Sequence, residues 1–293
     1  MTDKPLPFVS IIIPSFNDNA RLELAVEAIE GQNYPGDFEI LVVDNGSDEV
    51  PQLDTSRSTL LHEAAPGSYN ARNKALGVAK GDYFAFTDSD CIPDKDWLRK
   101  GIEALLSNPD AGLVGGRVQI FPQNVENAEI AELFDMAIGF PQAHYIANGH
   151  YAATANMFTR KTVFDTVGNF RGDLKSGGDA DWGKRVHAAG FPLIYEADAL
   201  VLHPARASHA EIVKKVRRTT GGERDRNPSW GKALRFAAAL ALPPHQRMAN
   251  AFRLPDQPLR RRTAVAGYAL LINWLHSLER LRLQFTGKES NRS

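Results

Sequence analysis

The sequence has a single cysteine, Cys91, among 293 residues. A lone thiol cannot close a disulfide within the chain, which excludes a small bridge-held scaffold and fits a reducing compartment. Long hydrophobic runs are missing too. The most apolar stretch, 264–275, has twelve residues, well short of the roughly 20 that span a bilayer. Also absent are the phosphate-cradling patterns G-x-x-x-x-G-K-[ST] and, after the first strand-like run, G-x-G-x-x-G. A diphosphate would have to be held by a metal and basic side chains. Residues 1–7 are polar and lead directly into that run, so no secretory leader is expected. There is no internal repeat or low-complexity tract. What remains, with 43% hydrophobic and 24% charged residues, is the composition of a globular protein long enough for one large α/β domain with an appendage.

Net charge is −1, but it is unevenly spread. From His203 onward there are 18 Lys+Arg against 6 Asp+Glu; the preceding part carries 16 basic and 29 acidic residues. A basic tail on an acidic body predicts an anionic partner for the tail, phosphate groups or a membrane surface, or else a solvated helical face.

Strand-like and helical patterns alternate along the first part. Residues 9–13 (VSIII) are β-branched and stop at Pro14; Leu22, Val26 and Ile29 then recur at helical spacing. Further strands are predicted at 38–43, 83–87 and 112–120, with helices at 69–80 and from Trp97 to Leu106 between them. Farther on, the pattern predicts a strand at 152–158, a helix at 161–167, a helical stretch that follows Gly177–Trp182 and ends at Gly190, and an apolar run 199–202 ending at His203. The chain then reads as mostly helical. Such alternation predicts a mostly parallel sheet flanked by helices, with ligands at the carboxyl ends of its strands. Ser15, Asp44, Asp88 and Asp90 end strands and are expected to converge there.

The stretch "YFAFTDSDC" puts two carboxylates one residue apart at a strand end. In extended chain, residues i and i+2 face the same way, and two carboxylates so placed repel unless a cation lies between them. Oxygen donors suit Mg²⁺ or Mn²⁺. The alternative is a turn in which both aspartates cap the helix that follows.

Five segments together resemble glycosyltransferase family 2: "VSIIIPSFND", "EILVVDNGSDE", "ARNKALGVAKGDYFAFTDSDCIPDKDWL", "ANMFTRKTVFDTVGNF" and "SGGDADWGKRVHAAG", in order over roughly residues 8–205. The resemblance implies a GT-A fold, a Rossmann-like α/β architecture, with a C-terminal helical extension. It implies a GT-A domain over 1–205, divided into a nucleotide-binding half (1–110) and an acceptor-binding half (111–205), and a basic helical extension over 206–293.

The implied activity is inverting transfer of a sugar from a nucleotide-diphosphate donor, a UDP-sugar, to a hydroxyl acceptor, with Mn²⁺ or Mg²⁺ as cofactor. By the resemblance, Pro14, Ser15, Phe16, Asp44, Arg72 and Asp88 hold the nucleotide. Asp88, Asp90 and His203 serve the metal, and Asp179 or Asp181 is the general base, although Gly178 stands where the family has an acid. Trp182 either stacks on a sugar or packs in the core. Arg217, Arg218 and Arg224 either grip an anion beside a closing loop at Gly221-Gly222 or form a solvated face. The expected partners are the donor, a saccharide or lipid-linked acceptor and a membrane surface touching the basic tail. No nucleic acid is expected. The implied setting is polysaccharide or glycolipid assembly in the cytoplasm, peripheral at the inner membrane face. Two rivals remain: a haloacid-dehalogenase-type phosphatase using Asp88 and Asp90, and a sugar-nucleotide-binding protein without turnover.

Overall fold

Alternation of apolar side chains builds the sheet. On β1 (Val9–Ser15), Val9, Ile11 and Ile13 point to one face and Ile12 to the other, as the two-residue period of a strand requires. The computed structural model describes residues 6–226 and 228–286; residues 1–5, 227 and 287–293 lie outside the described residues.

In chain order there follow α1 (Asn19–Glu30), β2 (Phe38–Asp44), β3 (Ser58–His62), α2 (Ser68–Leu76), β4 (Tyr83–Thr87), β5 (Ile92–Pro93), α3 (Trp97–Ser107), β6 (Leu113–Phe121), α4 (Ile130–Ile138) and α5 (Gln142–His144), which runs into a π-helical turn at Tyr145–Gly149. After these come β7 (Asn156–Arg160), α6 (Lys161–Val167), α7 (Gly178–Ala188), β8 (Leu193–Pro204), α8 (His209–Arg226), α9 (Trp230–Ala241), α10 (His245–Phe252) and α11 (Leu259–Thr286). The strands form one eight-stranded sheet in the order β3-β2-β1-β4-β7-β6-β8-β5. It is parallel across β3-β2-β1-β4 and antiparallel where β7 joins β4 and β6 and where β5 joins β8.

The chain divides into two compact units. The first comprises residues up to Gln119 with Phe140–Asp173 and Gly178–His203. One face of its sheet packs Val9, Ile11, Ile40 and Val42 under Leu22, Val26 and Ile29 of α1 and Trp97, Ile102 and Leu105 of α3. The other packs Ile12, Leu41, Val43, Phe84 and Phe86 against Tyr69 of α2, Phe164 of α6 and Trp182 of α7. Full burial of each large apolar side chain contributes about 1.5–3 kcal/mol. Trp182 is therefore core: its ring stacks on Phe164 at 4.5 Å and its Nε1 donates to the carbonyl of Gly168.

The second unit comprises Ile120–Gly139, Leu174–Gly177 and the chain from Pro204 onward. It includes α4, which lies within the stretch expected to form the acceptor half, because Ala131, Leu133, Phe134 and Ala137 share a core with Ile212, Val216, Ala251, Val265, Ala269 and Ile272. Gly221-Gly222 is not a loop, since α8 runs through it with both glycines buried. A Cβ on Gly222 would stand 2.8 Å from the Ser176 side chain, so the pair serves close packing rather than closure.

Wholly buried Asp135 on α4 accepts from Arg206 Nη1 at 2.8 Å and from Lys215 Nζ at 3.2 Å. Burial alone would raise its carboxyl; the two cations outweigh that and hold it below the ordinary aspartate range. Asp135→Ala strands both cations, a loss of about 3–5 kcal/mol. A melting temperature roughly 10 °C lower is expected by calorimetry. Among the described residues, no helix is long and apolar enough to cross a membrane.

Candidate functional site

The parallel register brings the strand ends together. Ser15 lies beside Asp44 and Asp44 beside His62. Three side-chain contacts staple the loops beyond β1 and β2. Asn17, held in the left-handed region at φ 50°, donates its backbone N–H to Ser47 Oγ at 2.8 Å. Its side chain exchanges hydrogen bonds with Asp48, Nδ2 to Oδ2 and backbone N–H to Oδ1. Asn19 donates to the Glu49 carbonyl. Within this frame Pro14 and Ser15 are buried strand residues, the Ser15 hydroxyl has no hydrogen-bond partner, and Phe16 is 52% exposed.

Asp44 accepts from the backbone N–H groups of Ser47 and Gly46 and faces His62 Nδ1 at 3.2 Å. Burial pushes its carboxyl up, but these hydrogen bonds prevail and keep it below the usual range, hence ionised near neutrality. The Asp-Asn-Gly turn is thus formed by the same side chain expected at the nucleotide. Asn45 carries the frame onward: Nδ2 donates to the carbonyls of Glu63 and Ala65, and Oδ1 accepts from Gly67 N–H at the start of α2.

From α2, buried Arg72 donates through Nη2 to Asp88 Oδ1, while its Nε has no partner. Its guanidinium lies over the Tyr69 ring at 5.7 Å. The Tyr69 hydroxyl donates to Asp179 Oδ1 at 3.2 Å, and the same oxygen accepts from the Ala180 N–H. Burial raises the Asp179 carboxyl above the ordinary aspartate range; the Ala180 N–H, the Arg72 charge and the Tyr69 hydroxyl oppose this without cancelling it. Tyr69 also accounts for Gly178, because a Cβ there would stand 2.7 Å from its ring. Asp181 turns elsewhere. Its Oδ2 accepts from Arg185 Nε at 3.1 Å, and Arg171 lies 3.9 Å away.

At the other end of the row, the chain turns after Thr87, the Cys91 N–H bonding the Asp88 carbonyl. The i, i+2 expectation for Asp88 and Asp90 therefore lapses. Asp88 goes to Arg72, and neither aspartate caps α3, whose start is fastened by Asp94 instead. Pairing of Ile92 with Leu202 delivers His203 to the end of β8 beside Asp90, with His203 Nε2 3.7 Å from Asp90 Oδ2. Asp90, Cys91 and His203 offer ligand atoms within 4.8 Å of one another, a group that excludes Asp88. The Cys91 thiol is pushed well above its usual range, first by burial and then by the charges of Asp90 and Asp88. It remains a thiol and a poor donor for a hard cation.

In this set the Asp90 carboxylate suits Mn²⁺ or Mg²⁺, and the His203 imidazole suits a first-row transition ion such as Mn²⁺ better than Mg²⁺. At 3.7 Å the pair is too far apart for a hydrogen bond, yet two donors each about 2.1 Å from a common ion stand at most about 4.2 Å apart. So few protein ligands leave room for substrate phosphates.

Several residues that shape the site were not among the expected site residues. Asp18 accepts from Arg21 Nε at 2.6 Å and from Ser89 Oγ at 2.8 Å, which fixes the residue between the two aspartates. Tyr69 could have been found, since it precedes Arg72 by one helical step of three. An aromatic row also runs from His203 to Phe140 (5.9 Å), Tyr145 (6.2 Å) and Tyr151 (4.9 Å).

Comparison with known proteins agrees with this architecture. The description "Glycosyl transferase family 2" matches residues 10–170. Glycosyltransferase AglE of Haloferax volcanii is 37% identical over 227 residues, covering 74% of this chain and 73% of that protein. A Methanococcus voltae relative, dolichyl N-acetyl-alpha-D-glucosaminyl phosphate 3-beta-D-2,3-diacetamido-2,3-dideoxy-beta-D-glucuronosyltransferase, is 25% identical over 228 residues, covering 71% and 70%. The pre-mycofactocin glycosyltransferase of Mycobacterium tuberculosis is 28% identical over 211 residues, 68% of this chain but 43% of that protein. Among solved structures, the mannosyltransferase PcManGT of Pyrobaculum calidifontis, in complex with GDP-Man and Mn²⁺, superposes with a TM-score of 0.59 at 19% identity, covering 98% of this chain and 89% of that one, and shares its fold. The chain is a GT-A glycosyltransferase and belongs to glycosyl transferase family 2.

Proposed function

We propose that the protein transfers a sugar, with inversion, from a nucleoside-diphosphate donor to a hydroxyl of a saccharide or lipid-linked acceptor, with Mn²⁺ or Mg²⁺ held by Asp90 and His203. The observation that carries this is the division of labour between the aspartates: Asp90 beside His203, Asp88 paired with Arg72, and Asp179, among the described residues, hydrogen-bonded to the Tyr69 hydroxyl and the Ala180 N–H and to no cation. A bound ion would supply Lewis-acid stabilisation of the departing diphosphate.

The remaining roles fall to the chain itself. Ser15, with its unpartnered buried hydroxyl, and Asp44 receive the nucleoside between the stapled loops, with Pro14 and exposed Phe16 forming the wall. Arg72 fixes Asp88 toward the ribose. Both Asp179 hydrogen bonds fall on Oδ1, so Oδ2 takes the acceptor proton as the hydroxyl attacks. Asp181, engaged with Arg185, positions the start of α7. The aromatic row is suited to stacking on sugar rings.

The donor is proposed to be a UDP-sugar. The GDP-Man in the PcManGT structure motivates a guanine alternative, and the dolichyl phosphate in the name of the M. voltae relative supports a lipid-linked acceptor. Membership of the family displaces the phosphatase rival, and the Arg72 pairing of Asp88 makes that carboxylate a poor nucleophile. The test is nucleotide release from UDP-glucose, UDP-N-acetylglucosamine and GDP-mannose with Mn²⁺, Mg²⁺ or EDTA. Metal-dependent release from one donor is expected. Tight binding of a donor with no release under any condition would support the non-catalytic rival instead.

A further inference from the structure

The second unit carries an apolar face that its own core does not cover. On α11, Val265, Ala269, Ile272 and Leu283 are buried, while the opposite side exposes Leu271 (44%), Trp274 (48%), Leu278 (63%) and Phe285 (74%). Those four follow one another at steps of four, three or seven and so form one stripe. From Thr263 to Leu278 the sequence has no charged residue, so nothing in this stretch marks the outer face as solvated. α9 extends the stripe: Trp230 meets Phe285 edge-on at 4.8 Å, and Leu234, one turn on, is also exposed.

The segment that carries the face is basic. Residues 230–286 contain nine Lys+Arg and two Asp+Glu, and of the nine only Arg280 is wholly buried. Exposed Arg235 follows Leu234 on α9, and exposed Arg260, eleven residues before Leu271 and so in helical register with it, lies at the head of the α11 stripe. Tryptophan, phenylalanine and leucine accompanied by arginine, on helices too short in apolar length to span, is the pattern of a surface that lies in the headgroup region. A second copy of the chain is a poorer occupant, because a two-fold contact through this face would set basic segment against basic segment.

We infer that α9 and α11 form a docking face for an anionic lipid bilayer, with Trp230, Leu271, Trp274, Leu278 and Phe285 inserted between headgroups and Arg235 and Arg260 against lipid phosphates. This rests on the second unit alone and holds whether or not the proposed reaction is the right one. The test is co-sedimentation of the full chain with vesicles of pure phosphatidylcholine or of phosphatidylcholine and phosphatidylglycerol at 3:1. Partition into the anionic vesicles is expected to exceed that into neutral ones by about tenfold and to fall as salt is raised. The double substitution Leu271→Glu, Leu278→Glu should lower it about tenfold or more with little change in melting temperature, since both side chains are exposed. Wild-type protein left in the supernatant with anionic vesicles overturns the inference, as does a double variant that sediments like wild type. A concentration-dependent dimer abolished by the same substitutions, without vesicle binding, assigns the face to self-association instead.

Discussion

Asp90→Ala is expected to lower kcat for nucleotide release by about a thousandfold or more at saturating donor. Of the proposed protein ligands, only His203 survives the change, and one imidazole does not hold a hard cation against water. Lewis-acid stabilisation of the leaving diphosphate is worth several kcal/mol, and each 1.36 kcal/mol is a factor of about ten in rate. The loss belongs to the chemistry and not to folding: Asp90 is partly exposed, and its contacts are Cys91 Sγ at 3.8 Å, His203 at 3.7 Å and Arg21 at 4.0 Å. Unfolding free energy should therefore shift by only about 0.5 kcal/mol. His203→Ala should be milder in kcat and show mainly a raised Mn²⁺ requirement, measured by metal titration of the initial rate. If Asp90→Ala turns over like wild type in Mn²⁺, or wild type is indifferent to EDTA, the metal assignment fails.

The features legible in the sequence were those whose cause is local. The β-branched run at 9–13, the helical spacing of Leu22, Val26 and Ile29, and the apolar face of Trp97, Leu98, Ile102 and Leu105 each carry their own period, and each became the element expected. β3 carries no legible period: its STLLH segment lies at the sheet edge, largely exposed, with no clean alternation. The buried face of α4 is likewise not legible locally, since it is completed by helices more than 70 residues later in the chain.

The site divides in the same way. Carboxylates at strand ends could be picked out because parallel sheets gather their carboxyl edges. Which partner each aspartate takes depends on groups far off in sequence: Asp88 on Arg72, Asp90 on His203, Asp179 on Tyr69. Gly178 stands where the family resemblance expects an acid, and the Tyr69 ring occupies the space a side chain there would need.

Asp179→Asn is expected to leave donor affinity within about twofold and to cut transfer by about 10²–10⁴, the usual contribution of a positioned general base. The amide is isosteric and can still accept the Tyr69 hydroxyl and the Ala180 N–H, so the start of α7 should hold. What disappears is the basic oxygen. Asp181→Asn should cost far less in rate, because that carboxylate is occupied by Arg185, and its effect should appear mainly in thermal unfolding.

The pH profile supplies a second reading of the same residue. A base works deprotonated, so transfer falls as pH drops through the folded-state value of its carboxyl. Burial has raised that value for Asp179, and the acid limb of kcat should therefore lie above the ordinary aspartate range. Tyr69→Phe removes a hydrogen bond that favours the ionised form, so it should push the limb higher still while leaving metal dependence untouched. A limb that stays put in Tyr69→Phe and shifts in Asp181→Asn would transfer the role to Asp181. That transfer would require the Arg185 pair to open before each turnover, at a cost visible as a lower kcat in wild type than in Arg185→Ala.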